Sequence, residues 1–294
     1  MVVWLLGVGL IGLVIWAFWH ERNLRQQQTE RQQQDEILLA QRQQLAQQLL
    51  NTRALERGEA GQAALARLES GDLEAFDSLE ALIRQSPEAE QWQWLDALCE
   101  LLVRRYGAQP LSAPFDAGLL RLFQLLSARP QGYAQVDGVR RCLRLQNLQF
   151  QGLVCQDLNL RGAELSDCRL PESRLPGLDL FAARLTAVNL SRAGLSGIKL
   201  TGASLNHVDF EGADLRGAEL ISAQLHDCSL RAADLRQAAC RGVRLGSCDL
   251  RGANLDGASG LSFELLQHCR LDQATRLPEA LQARQAELIA RSRA

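Results

Sequence analysis

The chain has 294 residues, 47% of them hydrophobic, and carries 32 Lys and Arg against 34 Asp and Glu. That length allows two modest domains with appendages and a substantial apolar core. A formal net charge of −2 argues against a dedicated basic nucleic-acid surface. Lys199 is the single lysine, an Arg-biased usage that points to a GC-rich bacterial genome more than to a function.

Val2 to Trp19 is an uncharged run of eighteen residues. As a helix rising 1.5 Å per residue it reaches ~27 Å, enough for a thin bilayer. Trp4, Trp16 and Trp19 lie near its ends, where indoles favour the membrane interface. A cleaved signal peptide fits less well, because a basic leader and a small-x-small site are missing. Arg22, Arg25 and Arg31 follow the run and only the α-amine precedes it. The positive-inside rule then predicts a single-pass anchor in a bacterial inner membrane, N-terminus outside and all later domains cytoplasmic. Gly7, Gly9 and Gly12 match the GxGxxG dinucleotide pattern, but no strand–helix–strand unit surrounds them, so no cofactor is expected. They suit close packing of membrane helices.

From His20 to about Arg57 the sequence is rich in Gln, Arg and Leu and has neither Pro nor Gly. Leu38, Leu45 and Leu49 form a narrow stripe whose heptad is broken by Arg31 and Thr52, so a solvated stalk and a weak homomeric coiled coil both stay open. Asp72 to Gln85 reads as an amphipathic helix with Leu73, Phe76, Leu79, Leu82 and Ile83 on one face. Ser86 is expected to cap the next helix, with Pro87 in its first turn and Gly107 at its end. A third helix is predicted from about Pro114 to Ala128, stopped by Pro130.

A different rhythm takes over at Leu145. Every fifth residue from there to Leu255 is apolar, giving (255 − 145)/5 + 1 = 23 positions, nineteen of them Leu and the others Phe150, Phe210, Cys155 and Cys240. Two residues earlier stands a small or apolar residue, with Ser173 the departure. A helix would rotate successive fifth residues around its surface, and a flat strand would alternate them between faces. A chain that turns a corner once per unit keeps them all inside, and glycine at the last position of ten units suits such corners. The unit is cleanest in Ala213-Asp214-Leu215-Arg216-Gly217.

On these residues the segment from Leu143 to Gly257 resembles the pentapeptide-repeat family. That resemblance implies a right-handed quadrilateral β-helix with four pentapeptides per coil. The 23 units then make 23/4, or about six coils, in a rod roughly 28 Å long at sheet spacing. Leu79, Leu82, Ile83, Ser86 and Pro87 resemble a weaker motif that precedes the repeats in some members of the family. Ser262 to Arg293 reads as helix broken near Thr275 to Pro278, with an apolar side that would cover the far end of the rod.

The expected fold is α+β, with a pentapeptide-repeat solenoid between helical segments. Its parts are a transmembrane anchor (1–19), a helical stalk (20–57), a small helical domain (58–135), the β-helix (143–260) and a C-terminal helical cap (261–294). The first helices would shield the open edge of the first coil.

The residues give little sign of chemistry. Of the eight cysteines, Cys168, Cys228 and Cys248 take the small inward position and Cys155 and Cys240 the central one, so they read as core and not as a metal or redox site. Cys228 and Cys248, twenty apart, should stack in neighbouring coils. The hydrolase, metalloprotease and nucleotide motifs GxSxG, HExxH and Walker are absent, and His207 and His226 with their nearby Asp residues read as a solvated face. No enzyme, cofactor or metal is expected.

Some members of the family inhibit DNA gyrase by imitating duplex DNA, which needs an acidic rod. Residues 141–257 here carry fourteen Arg and Lys against thirteen Asp and Glu, so a regulator of such a nucleic-acid enzyme is the alternative and nucleic acid itself is not an expected partner. Residues twenty apart line one outward column, and one column reads Arg161, Phe181, Thr201, Ile221, Arg241. Two large apolar side chains there predict a docking strip centred on Phe181, Thr201, Ile221 and Arg241, for the chain's own helices or for another protein. The expected function is a membrane-anchored scaffold for protein–protein interaction. A homodimer through the stalk or the C-terminal cap stays open.

Overall fold

The computed structural model describes the backbone of residues 2–106, 111–112, 117–127, 133–136 and 139–292. Two compact units divide after Ala60. The first consists of helix α1 (Val2–Glu69) up to that point, and the last turns of α1 belong to the second. The backbone of Val2–Trp19 is helical, while its side chains, and with them the membrane anchor, lie outside the described residues. Among the described residues no helix is long and apolar enough to cross a membrane.

α1 continues past Arg57 to Glu69 through two glycines. Gly61 is required there by packing: the Trp94 ring occupies the space its Cβ would take. Helices α2 (Ala75–Gln85) and α3 (Glu88–Tyr106) follow, then strand β1 (Leu111–Ser112) and helix α4 (Ala117–Ser127). Their predicted ends at Gly107, Pro114, Ala128 and Pro130 lie outside the described residues. The Ser86 hydroxyl donates to Leu82 O at 2.8 Å and closes α2, while the side chains of the first residues of α3 lie outside the described ones. Leu68, Phe76, Leu79, Leu98, Leu102, Leu122 and Leu126 form the helical core.

A hairpin of β2 (Tyr133–Val136) and β3 (Val139–Cys142) leads into the solenoid. Strands β4 (Arg144–Gln146), β6 (Glu164–Ser166), β7 (Arg184–Thr186), β8 (Ser204–Asn206), β9 (Gln224–His226) and β10 (Arg244–Gly246) pair in parallel, each in register with the residue twenty positions away. The other three faces are built from single-residue bridges with the same step, as in Gln149↔Arg169, Val154↔Arg174 and Asn159↔Asp179. From Arg144 to Arg244 the chain makes 100/20 = 5 complete turns. The expectation of about six coils, which came from dividing 23 pentapeptides by four, is slightly above the five complete turns that the strands of this face span.

The predicted inward positions are filled as the five-residue rhythm requires. Ala213, Leu215, Ala218 and Leu225 are almost wholly buried. The corners carry the geometric load: all 23 corner residues from Asn147 to Gly257 have positive φ, ten of them glycine and thirteen not. A left-handed conformation costs a non-glycine residue roughly 1–2 kcal/mol, and the hydrogen-bonded ladder on either side offsets it. Ladder bonds are short, for example Asp214 N–H to Ala193 O at 2.9 Å and Leu215 N–H to Asp234 O at 2.8 Å.

Ser173 departs from the small apolar pattern for a specific reason. It is fully buried, and its hydroxyl accepts from Leu153 N–H at 3.1 Å, an amide whose counterparts on other rungs bond back to the preceding central residue. Ser173→Ala is expected to destabilise the fold by about 1–3 kcal/mol, since it orphans a buried amide. An unchanged denaturation midpoint would show that the Leu153 amide finds another acceptor.

The rod and the helices share one core. Phe150, in β5 (Phe150–Gln151), sits edge-on to Phe123 of α4 at 5.9 Å between centroids and to Tyr106 of α3 at 6.4 Å. β1 adds a parallel strand below β5. At the other end the solenoid runs on beyond residue 260, into the segment expected as a helical cap. Asp249 bridges to Arg270 and Asn254 to Arg276, with Cys269, Leu271, Thr275 and Leu277 turned inward. The steps are now 270 − 249 = 21 and 276 − 254 = 22 residues, because α5 (Phe263–Leu266) and a turn at Asp272 are inserted. α6 (Glu279–Gln282) and α7 (Gln285–Ser292) close this end.

Candidate interaction surface

Outward side chains fall into columns at ladder spacing, so each touches the one above and below. Charges pair both between neighbouring rungs and within a rung. Glu164 lies 3.5 Å from Arg144 and 3.4 Å from Arg184, Asp214 and Asp234 are held by Arg216 and Arg236 at 2.7 Å each, and Arg161 meets Asp179 at 3.0 Å. The Arg216 side chain beside Asp214 and the Arg236 side chain beside Asp234 hold those carboxyls below the usual carboxylate range. For Asp249, burial pushes the carboxyl up, but Arg251 outweighs it and the net shift is downward. These are exposed pairs, worth little individually. With fourteen Arg and Lys against thirteen Asp and Glu over residues 141–257, the rod is close to neutral.

The column singled out from the sequence lies on the fourth face, beside the bridges Asn159↔Asp179, Asp179↔Lys199 and Lys199↔Glu219. Phe181, Thr201 and Ile221 are half-buried and Arg241 is exposed. The Arg161 guanidinium covers one side of the Phe181 ring, 4.3 Å from its centroid. Phe181 N–H is fixed by Asp179 Oδ1 at 3.0 Å. The apolar side chains are thus outside the core yet flattened against their column neighbours. Leu261, twenty residues after Arg241, is also half-buried; its place was hidden by the loss of the rhythm at Gly260.

The cysteines fall largely where the rhythm put them. Cys168, Cys228, Cys240 and Cys248 are buried, whereas Cys155 is only half-buried, because among the described residues no rung lies beneath its face. Burial pushes the Cys168 and Cys240 thiols up to about 11 and that of Cys269 to about 12. Hydrogen bonding to Cys248, with burial, raises Cys228. Thiols held so far above neutral pH are poor nucleophiles. Among the described residues no group of three His, Cys, Asp or Glu is placed to hold a metal ion.

Inside the rod a narrow cavity of about 20 Å³ is lined by Phe123, Cys168 and leucines, an apolar void of the kind that stays dry. An open cleft of about 500 Å³ lies between α3 and β4, with Asp96, Glu100, Arg104 and Arg144 on its walls. Burial raises the Asp96 carboxyl, although Arg141 stands 3.7 Å away. The other cleft arginines are engaged: Arg104 by Glu69 at 2.5 Å and Arg144 by Glu164.

Corners every five residues, twenty-residue turns and an interior of stacked leucines define a four-sided β-solenoid. Residues 159–197, 195–231 and 228–259 match the family model described as pentapeptide repeats, in eight copies. The matched residues, 159–259, all lie in the four-sided solenoid. It is similar to HetL, a pentapeptide repeat protein involved in heterocyst differentiation regulation in the cyanobacterium Nostoc, at 27% identity and TM-score 0.21 over 37% of this chain and 62% of that one. The chain thus spans under two thirds of HetL. A pentapeptide repeat protein from the Arabidopsis thaliana thylakoid lumen is 27% identical over 34% of this chain and 78% of its own, with TM-score 0.25. QnrB1, a plasmid-mediated fluoroquinolone resistance protein, is 20% identical over 50% and 87%, with TM-score 0.23. No curated protein matches the chain.

Proposed function

We propose that this chain is a non-enzymatic scaffold, anchored in a bacterial inner membrane by Val2–Trp19, whose cytoplasmic rod offers its fourth face to a protein partner. The observation that carries this reading is the column Phe181, Thr201, Ile221, in which half-buried apolar side chains share one face of a rod that elsewhere carries charge pairs such as Glu164–Arg184 and Asp214–Arg216. Its support is physical: a solenoid fixes these side chains on a rigid ladder, so a partner meets them with little ordering cost. The anchor rests on the apolar run and the arginines after it.

Phe181→Glu combined with Ile221→Glu is expected to leave the denaturation midpoint nearly unchanged, since neither side chain belongs to the core, and to abolish partner crosslinking in intact membranes. Unchanged folding together with an unchanged set of crosslinked proteins would remove the docking column. Inhibition of a nucleic-acid enzyme such as gyrase is the competing reading, and the near-neutral charge of the rod weighs against it. Potent inhibition of gyrase supercoiling by the purified protein would reverse that preference.

A further inference from the structure

The third face of the rod begins with an edge to which no described residue bonds. On its interior rungs, the residue before the central leucine turns both backbone groups toward the preceding rung. Arg174 N–H donates to Leu153 O at 2.7 Å and Arg174 O accepts from Cys155 N–H at 3.0 Å; Gly194 and Asp214 repeat this with the rungs before them. By the same geometry, Val154 N–H and C=O point off the first rung, away from Arg174. Among the described residues nothing bonds to them.

The side chains there match an incomplete site. Val154 is 56% exposed, the one large hydrophobic residue of the rod so exposed among the described residues. Cys155 is half-buried, while Leu175, Leu195 and Leu215 at the same inward position are at most 2% exposed. Asp157, at the corner that ends the rung, has no ion pair among the described residues. An unpaired edge with an apolar β-branched residue is a template for strand addition. The adjoining face shows the mode: β1 lies in parallel beneath Phe150 and Gln151, two residues long.

We propose that this edge docks one extended peptide segment of a partner protein, added in parallel beneath Val154. The occupant follows from the edge. The rung runs only between the corners at Gly152 and Asp157, so it takes a single short strand and not the end of a second rod, whose helices would stand in the way. The segment carries an apolar residue against Val154, another entering beneath Cys155, and a basic residue two positions later facing Asp157. Val154 N–H donates to the carbonyl before the first apolar residue, and the amide after it donates to Val154 O. This site is independent of the Phe181 column.

The test uses the full chain in detergent micelles and a fluorescein-labelled peptide, Gly-Ala-Val-Leu-Ser-Arg-Gly. In the free protein the Val154 amide should exchange with solvent at least a hundredfold faster than those of Arg174 and Gly194. The peptide should bind saturably and slow Val154 exchange at least tenfold. Val154→Pro removes the outward N–H while leaving the Leu153 and Cys155 bonds to Arg174, and should weaken binding at least tenfold, whereas Val154→Ile should not. Methylating the Leu nitrogen of the peptide should abolish binding with the protein unaltered, which covers a Val154→Pro protein that fails to fold. A slowly exchanging Val154 amide in the free chain, absence of saturable binding, or equal affinity for the methylated peptide would each overturn the proposal.

Discussion

Phe150→Ala is expected to cost about 3–5 kcal/mol, the largest single-residue loss in the molecule. Phe150 is wholly buried and occupies the central inward position of the first rungs, where later rungs of the same column carry leucine except at Phe210. Its ring reaches past the end of the bore to Phe123 and Tyr106, so one side chain belongs to both the rod and the helices. Truncation leaves a cavity at that junction, and the small 20 Å³ void beside Phe123 would enlarge instead of collapsing, because the ladder holds the rung in place. Trp92 and Trp94 report on the helical core, while far-UV circular dichroism is dominated by helix and rod together. In the parent protein both signals should move together on urea titration. In Phe150→Ala the tryptophan transition should shift to lower urea and separate from the rest. Phe150→Leu, which keeps most of the volume, should cost no more than about 1.5 kcal/mol. Coincident, unshifted transitions would mean that the junction contributes no stability.

Gly260→Ala is expected to be nearly as damaging, for a different reason. Gly260 stands where the five-residue rhythm calls for a central leucine, and there the chain leaves the regular coil with φ +81°. A Cβ would lie 2.5 Å from Arg241 N and 2.7 Å from Arg241 Cα, both backbone atoms of the rung below. A left-handed alanine costs roughly 1–2 kcal/mol and forced overpacking a further 1–3 kcal/mol. The strain falls on the exit toward α5, so amide exchange should rise first at Arg270 and Arg276, whose bonds to Cys248 and Ala253 hold the last rungs. Gly257→Ala is the control. Gly257 also has positive φ, but a Cβ there would meet Gln237 Cγ at 3.6 Å, an ordinary contact. Its cost should stay near the backbone part alone, about 1 kcal/mol. Equal losses for the two variants would show that the close approach to Arg241 is relieved elsewhere.

Much of the rod could be read in advance, because a strict five-residue period leaves few ways to keep Leu215, Leu220 and Leu225 on one side of the chain. The positions of the buried cysteines followed, and so did the corner glycines. The last inward residues did not. Cys269-Arg270-Leu271 and Thr275-Arg276-Leu277 repeat the small-x-Leu pattern, but one and two extra residues shift them off the count of five. Ser86 shows a different gap: a hydroxyl between two helices can serve either end, and its bond to Leu82 O at the end of α2 was not anticipated from the sequence.

The candidate surface was only partly legible. That Phe181, Thr201, Ile221 and Arg241 share a column is arithmetic on the period. How far Phe181 is covered depends on the Arg161 guanidinium lying over its ring. The open edge at Val154 had no sequence signal at all, since Val154 fits the outward position of a unit as well as any residue. It became visible through what lies beneath each first rung: β1 below Phe150, α3 beside β4, and no described partner below Val154.

By itself the sequence determined the solenoid, its inward residues, its corners and its neutral charge, because these are properties of a local repeat that the backbone can satisfy in one way. The number of complete turns, the continuation of the ladder past Gly260, the shared core around Phe150 and the exposure of Val154 were decided by the tertiary structure. Each depends on which distant segment covers the end of a rung, and no local pattern encodes that.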